Sequence, residues 1–343
     1  MLLHITRVGD PPQNEWEYLN RLNGDDFMRT MDKVMKELHA FIAKKAPNGV
    51  KSEEEMQQII EEFMMQHNEA VRHLQDFLQE NGQDDTVPAD VYDYLELAEQ
   101  ASRKKDKREY LAKAAELEPD NVEVKLAQAE LDSKGPLDML KVLPDLISAE
   151  EKRLKDQEIY QRSKGNFWLD FETRPYMMLL QEYLSNLIEC GIHNKAIQVG
   201  EEMLRLNKND NLGIRFQLMP LYAKMCNEMK ALKLYKQGAD EQKSSFYLLA
   251  LALLYFKLGD WPKAKSYLET LKQEYPITKK LIRSIKKGDQ SIFQPYLDNP
   301  PYAPFSDEEL ITAYLTNYAI YANEPYFFDW ADEALIVHRK KKK

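Results

Sequence analysis

The sequence predicts an all-α chain of stacked helical hairpins, and three observations carry that expectation. Leu, Lys, Glu, Ala and Gln are abundant while only 12 of 343 residues are glycine, a mix that favours helix over sheet. Apolar residues recur at spacings of three and four along most of the chain, as on one face of a helix. Three alanines in similar local settings, Ala196, Ala231 and Ala264, stand 35 and 33 residues apart. A period near ~34 residues with two helices per unit is the mark of a stacked hairpin array, the small residue letting the paired helices approach closely.

In chain order, residues 1–24 are expected to form an irregular arm, with Pro11 and Pro12 ending any extended segment. Residues 25–82 predict an acidic N-terminal helical domain. Phe27, Met31, Val34 and Leu38 share one helical face, and Ser52 with Glu55 forms a capping box for a second helix. The polar stretch 83–88 predicts a domain boundary. Hairpin repeats follow over 89–276, with the best copies at 177–210, 212–244 and 245–277. In the first of these, Leu184 and Leu187 fill the inner face, Gly191 turns the chain, and Ala196 and Met203 pack the second helix. In the third, Gly259 and Asp260 turn the chain before Ala264, Leu268 and Leu271. Residues 277–338 predict a C-terminal helical cap, opened in part by a capping box at Ser306 and Glu309, and 339–343 a basic tail of charge +5.

This pattern resembles the tetratricopeptide repeat family over roughly 89–276. The aromatic that the family carries at the fourth position of each unit is replaced by Leu180, Arg215 and Leu248, so the copies are divergent. The segments "FWLDFETRPYM", "LRLNKNDNLGIR" and "FDWADEAL" look like a narrower group of uncharacterised bacterial repeat proteins, with an echo of the suppressor-of-tumorigenicity-7 family. The resemblance implies a right-handed α-solenoid whose first helices line a concave groove. It places Gln181, Phe216, Lys224, Phe246, Leu249 and Lys257 on that groove. A lysine and asparagine clamp for a terminal carboxylate is missing, since Ser185, Pro220 and Leu253 hold the ninth positions. The implied role is a non-catalytic scaffold for a protein or peptide. The alternatives are a peptide-sensing regulator, or a hydrolase or transferase using Glu172.

Charge narrows the partners. The formal net charge is −10, and between Ser52 and Glu99 fourteen acids face one base, Arg72. Such a surface repels phosphate backbones, so nucleic acid is not an expected partner. The same stretch counts against a basic recognition helix in a regulator. Two cysteines, Cys190 and Cys226, cannot make a disulfide framework, and no secretory pattern opens the chain. The longest apolar run, Phe246–Phe256, has eleven residues, whereas a bilayer span needs about 20. A cytoplasmic protein with no membrane partner is the expectation.

Motifs for chemistry are sparse. The six histidines show no metal-ligand spacing, and no nucleophile elbow, phosphate-binding loop or dinucleotide fingerprint occurs. No metal, cofactor or catalytic residue is expected. The most unusual segment is Phe167–Met177, with Trp168, Asp170, Glu172 and Arg174. It reads either as a ligand constellation at the groove mouth or as a helix junction in which Trp168 and Phe171 pack and Glu172 pairs with Arg174. The "LNKNDN" turn (Leu206–Asn211) reads as a helix stop and start, because Asn and Asp cap helices.

Overall fold

The computed structural model describes residues 90–238, 241–297 and 300–336, together with 40, 41, 44, 45, 59, 62 and 63. The arm expected over 1–24, most of the acidic domain expected over 25–82, its Ser52–Glu55 box and the basic tail lie outside these residues. Fifteen α-helices and one 3-10 turn run between Val91 and Ala334, with no strand among the described residues. None of the described helices is long and apolar enough to cross a membrane. The chain divides into two compact units, residues 1–119 and 120–343.

In the first unit, α1 (Val91–Gln100) and α2 (Lys104–Leu117) pack on each other. Asp90 caps α1 by accepting from the Tyr92 and Asp93 amides, and Asp93 returns the bond to the Asp90 amide at 3.1 Å. Pro119 cannot continue α2, and the unit ends there.

The second unit opens with α3 (Val122–Asp132), α4 (Pro136–Asp156) and the single turn α5 (Ile159–Arg162). Three helix pairs follow: α6 (Arg174–Glu189) with α7 (His193–Leu206), α8 (Ile214–Lys224) with α9 (Glu228–Gln237), and α10 (Ser245–Lys257) with α11 (Trp261–Glu274). Each pair packs within itself, and α7 and α10 both pack on α8. Ala196, Ala231 and Ala264 are each fully buried, as a close approach of helices requires.

The turns inside the pairs share one backbone feature. Gly191, Cys226 and Gly259 all adopt left-handed φ, at 71°, 55° and 77°. At the first two, the following amide reaches back five residues, Ile192 to Leu187 and Asn227 to Tyr222, each at 2.8 Å. This closes the helix end in the way that favours glycine. Cys226 is thus an L-residue in a glycine position.

Helix α10 is the centre of the unit, with every residue from Ser245 to Tyr255 buried. A helix buried all round needs neighbours on every side, and the C-terminal segment supplies the last of them. After α12 (Thr278–Lys287) and the 3-10 turn (Gln294–Tyr296) come α13 (Asp307–Thr316), α14 (Tyr318–Tyr321) and α15 (Pro325–Ala334). Helix α13 packs on α10 and α12, α14 on α6 and α8, and α15 on α11 and α12. Helix α13 gives way to α14 at Asn317. Its amide bonds the Ala313 carbonyl at 3.1 Å and the Phe216 carbonyl of α8 at 3.3 Å.

The Ser306–Glu309 box forms only half. Ser306 accepts from the Glu309 amide at 3.3 Å, but the Glu309 carboxylate turns inward. Its Oε1 accepts from Ser244 Oγ, the Ser245 amide and hydroxyl, and the Tyr275 hydroxyl, at 2.7–2.8 Å, and its Oε2 from the Phe305 amide at 2.6 Å. A buried carboxylate with five donors, two from the first turn of α10, is well compensated. It fastens the C-terminal segment to α10.

Candidate functional site

The expected groove residues lie along the first helices of the pairs, but they do not line an open groove. Leu249 is 2% exposed and Phe246 is equally core-like. Phe216 is half-buried, its ring 4.5 Å from that of Phe246 and 5.6 Å from that of Tyr247. Gln181 is half-buried. The correction has a simple cause: a row this apolar is more stable covered than wet. Leu310, Ile311, Ile320 and Tyr321, all buried, come from the segment laid over it.

Lys224 and Lys257, at the last turns of α8 and α10, are engaged by an acidic group of the same chain. Both ammonium groups donate to Glu324 Oε1, at 2.7 and 2.9 Å. The three side chains are 19%, 22% and 12% exposed. Burial pushes the Glu324 carboxyl up, and the two lysine hydrogen bonds outweigh it, so its pKa lies below the ordinary value. His193, whose pKa feels all three groups, is lowered by its own burial first and by Lys224 second.

Beyond this trio the surface changes character. Ile192, Met225 and Leu258 in the intra-pair turns are exposed, as are Met229 (81%), Trp261 (57%) and Tyr326 (79%) at the starts of α9, α11 and α15. Met225, Leu258 and Tyr326 stand within two residues of Lys224, Lys257 and Glu324 in sequence, and so many large apolar side chains exposed near one polar centre are unusual on a free surface. Sequence reasoning found the lysines but missed this edge, because turn residues were read only as chain reversals.

The Phe167–Met177 segment runs from the connection after α5 into the first turn of α6. Asp170 accepts from Ser163 Oγ and from Arg162 Nη2, the latter at 3.3 Å, and its other oxygen takes the Glu172 amide at 3.0 Å. Glu172 engages Arg162, and its carbonyl accepts from Arg153 at 3.1 Å. Arg174 stacks on Phe171 and Trp168, 4.4 and 5.0 Å from the ring centroids, and donates to the Trp168 carbonyl. Burial raises the Asp170 pKa, but the bonds from Ser163, the Glu172 amide and Arg162 bring it below the ordinary value. The segment is tied to the end of α7 by the Phe167 amide, which donates to the Leu206 carbonyl at 3.1 Å.

A second concavity, of about 640 Å³, lies where the α7–α8 and α9–α10 connections meet. Leu204, Lys208, Asn209, Asp210, Arg215, Leu234, Gln237, Gly238, Glu241 and Tyr247 line it. Arg215 grips Glu241 through Nε and Nη2 at 3.0 and 2.7 Å, and Asp210 through Nη1 at 2.9 Å. Asp210 also accepts the first amides of α8, Ile214 at 2.7 Å and Arg215 at 3.0 Å. Burial nonetheless dominates and raises its pKa. The sequence signal for this cleft was Arg215 itself, a charge where the resembled repeat carries an aromatic.

Among the described residues no group of three His, Cys, Asp or Glu side chains could hold a metal ion. No protein-family model matches the chain, and neither a curated protein nor a solved structure matches it.

Proposed function

We propose that this chain is a non-catalytic protein-binding scaffold, a divergent array of tetratricopeptide-like hairpins in a solenoid whose binding surface is the edge formed by the intra-pair turns. What supports the repeat reading is the recurrence of one turn geometry at Gly191, Cys226 and Gly259 with a buried alanine five residues after each. The observation that carries the site is the exposed set Met225, Met229, Leu258, Trp261 and Tyr326 around the Lys224–Glu324–Lys257 trio.

The partner this edge fits is an acidic amphipathic segment. In 191–195, 224–230, 257–263 and 323–326, five lysines stand against three acids, and Glu201 pairs with Lys230 at 2.6 Å, which leaves a local charge of +1 in a chain of −10. Exposed aromatic and methionine side chains supply anchors, and the lysines steer an acidic partner. The test is capture by immobilised protein, comparing wild type with a Met229→Ser, Trp261→Ala double variant. Both side chains are exposed, so the melting temperature stays within error while capture is lost, and the captured segment is acidic. Undiminished capture by the variant, or capture of a basic segment, contradicts the proposal.

A further inference from the structure

The cleft beside Arg215 holds an unmet hydrogen-bonding group. Tyr247 is 0% exposed, and its hydroxyl proton finds no acceptor among the described groups. Arg215 lies close, but a guanidinium is a donor only, so it offers no acceptor for the phenolic proton. Burial pushes the Tyr247 hydroxyl up to about 12, which keeps it a neutral donor throughout the physiological range. A buried donor without an acceptor destabilises the fold, because it has lost its bond to water and gained none in return. Tyr247 is among the residues that line the cleft, so an acceptor brought in there would meet that demand.

The rest of the lining specifies what could carry that acceptor. Lys208, Asn209 and Gln237 are exposed, and their side chains engage no described partner. Three donors therefore flank the tyrosine. Glu241, 37% exposed, keeps acceptor capacity beyond its two bonds to Arg215. Leu204 and Leu234 supply apolar wall. Asp210 and Glu241 balance Arg215 and Lys208, so the lining is neutral in sum while holding groups of both signs. That composition disfavours a simple anion or cation and suits a ligand with both charges.

From this lining we propose that the cleft binds a small zwitterion with an apolar side chain, a free amino acid or a dipeptide. The ligand carboxylate accepts from Tyr247, Lys208 and Asn209, the ammonium donates to Glu241, and the side chain rests on Leu204 and Leu234. The volume lies within the range of small-molecule sites, roughly 300–1,000 Å³, and admits either size.

Calorimetric titration of the full chain with L-leucine and with Leu-Leu tests the proposal, each arm deciding one source. The expected result is saturable binding of one of them, weakened about tenfold in Tyr247→Phe, a change equivalent to about 1.4 kcal/mol. Lys208→Ala, at an exposed position, is expected to weaken it likewise, and it decides the matter should Tyr247→Phe not fold. L-leucine amide, which lacks the carboxylate, is expected not to bind. Absence of binding by both ligands up to about 10 mM overturns the proposal. So does binding unchanged in Lys208→Ala or, where it folds, in Tyr247→Phe. Either result leaves the hydroxyl to a trapped water.

Discussion

Lys224 and Lys257, 33 residues apart in sequence, place their ammonium groups on one oxygen of Glu324. The folded-state pKa of Glu324 lies below its ordinary value of 4.5, so near that pH the unfolded chain binds more protons than the folded one. The stabilisation is present above 4.5 and is lost as pH falls through the folded value. His193 acts in the same direction at higher pH. Its pKa lies below 6.5, so stability falls as pH drops below 6.5. Urea unfolding of wild type and Glu324→Gln from pH 7 to 3.5 reads the first effect. The variant is expected to be less stable at pH 7 by about 1–3 kcal/mol, with two lysines left without a carboxylate. The gap closes as pH falls below 4.5. A gap independent of pH contradicts the assignment.

The second prediction concerns Gly238. A Cβ there would stand 2.8 Å from the Tyr247 hydroxyl and 3.2 Å from its ring, although the backbone itself is ordinary, with φ −88°. Gly238→Ala therefore costs about 1–3 kcal/mol by overpacking. Adding Tyr247→Phe removes the nearest atom and restores part of the loss, so a double-mutant cycle shows positive coupling. Additive effects mean the contact is absent.

Cys226 offers a stabilising change. It holds φ 55° in a turn whose two counterparts are glycine, and its side chain is exposed. A left-handed L-residue is strained by roughly 1–2 kcal/mol, partly offset by the greater entropy of unfolded glycine. Cys226→Gly should raise stability by about 0.5–1 kcal/mol, seen as a higher urea midpoint at unchanged slope. A loss of stability rejects the strain argument.

Leu249 tests the covered row. At 2% exposure it is core, and Leu249→Ala should cost about 2–5 kcal/mol. Were the row an open groove, the same change would leave the melting curve alone and affect only binding.

Much of this fold is legible in the sequence, and the reasons differ by element. The buried helix at Phe246–Phe256, the turns at Gly191 and Gly259 and the small residues at Ala196, Ala231 and Ala264 are local signals. They survive because period and turn chemistry act within a few residues. What covers the row is not local. Nothing near Leu249 announces that α13 packs on its helix, since any apolar segment satisfies an apolar face. The Glu309 carboxylate shows the same limit. Ser306 and Glu309 spell a capping box, yet Glu309 has better donors in Ser244, Ser245 and Tyr275, all distant in sequence. Lys224 and Lys257 were readable as residues of one face; that Glu324 bridges them was not. Between α5 and α6, the ties of Arg162 to Asp170 and Glu172 depend on α5 folding back, which spacing alone does not reveal.

The account turns on whether the intra-pair turn edge meets an acidic partner, and site-specific photocrosslinking tests that most directly. Benzoylphenylalanine placed singly at Met229, Tyr326 and the exposed Glu269 of α11, in the full chain within its source cell, reports what touches each position. The account predicts a discrete adduct from positions 229 and 326, none from 269, with the crosslinked peptide acidic and apolar by mass spectrometry. Adducts formed equally at 269, or absent from both 229 and 326, contradict it.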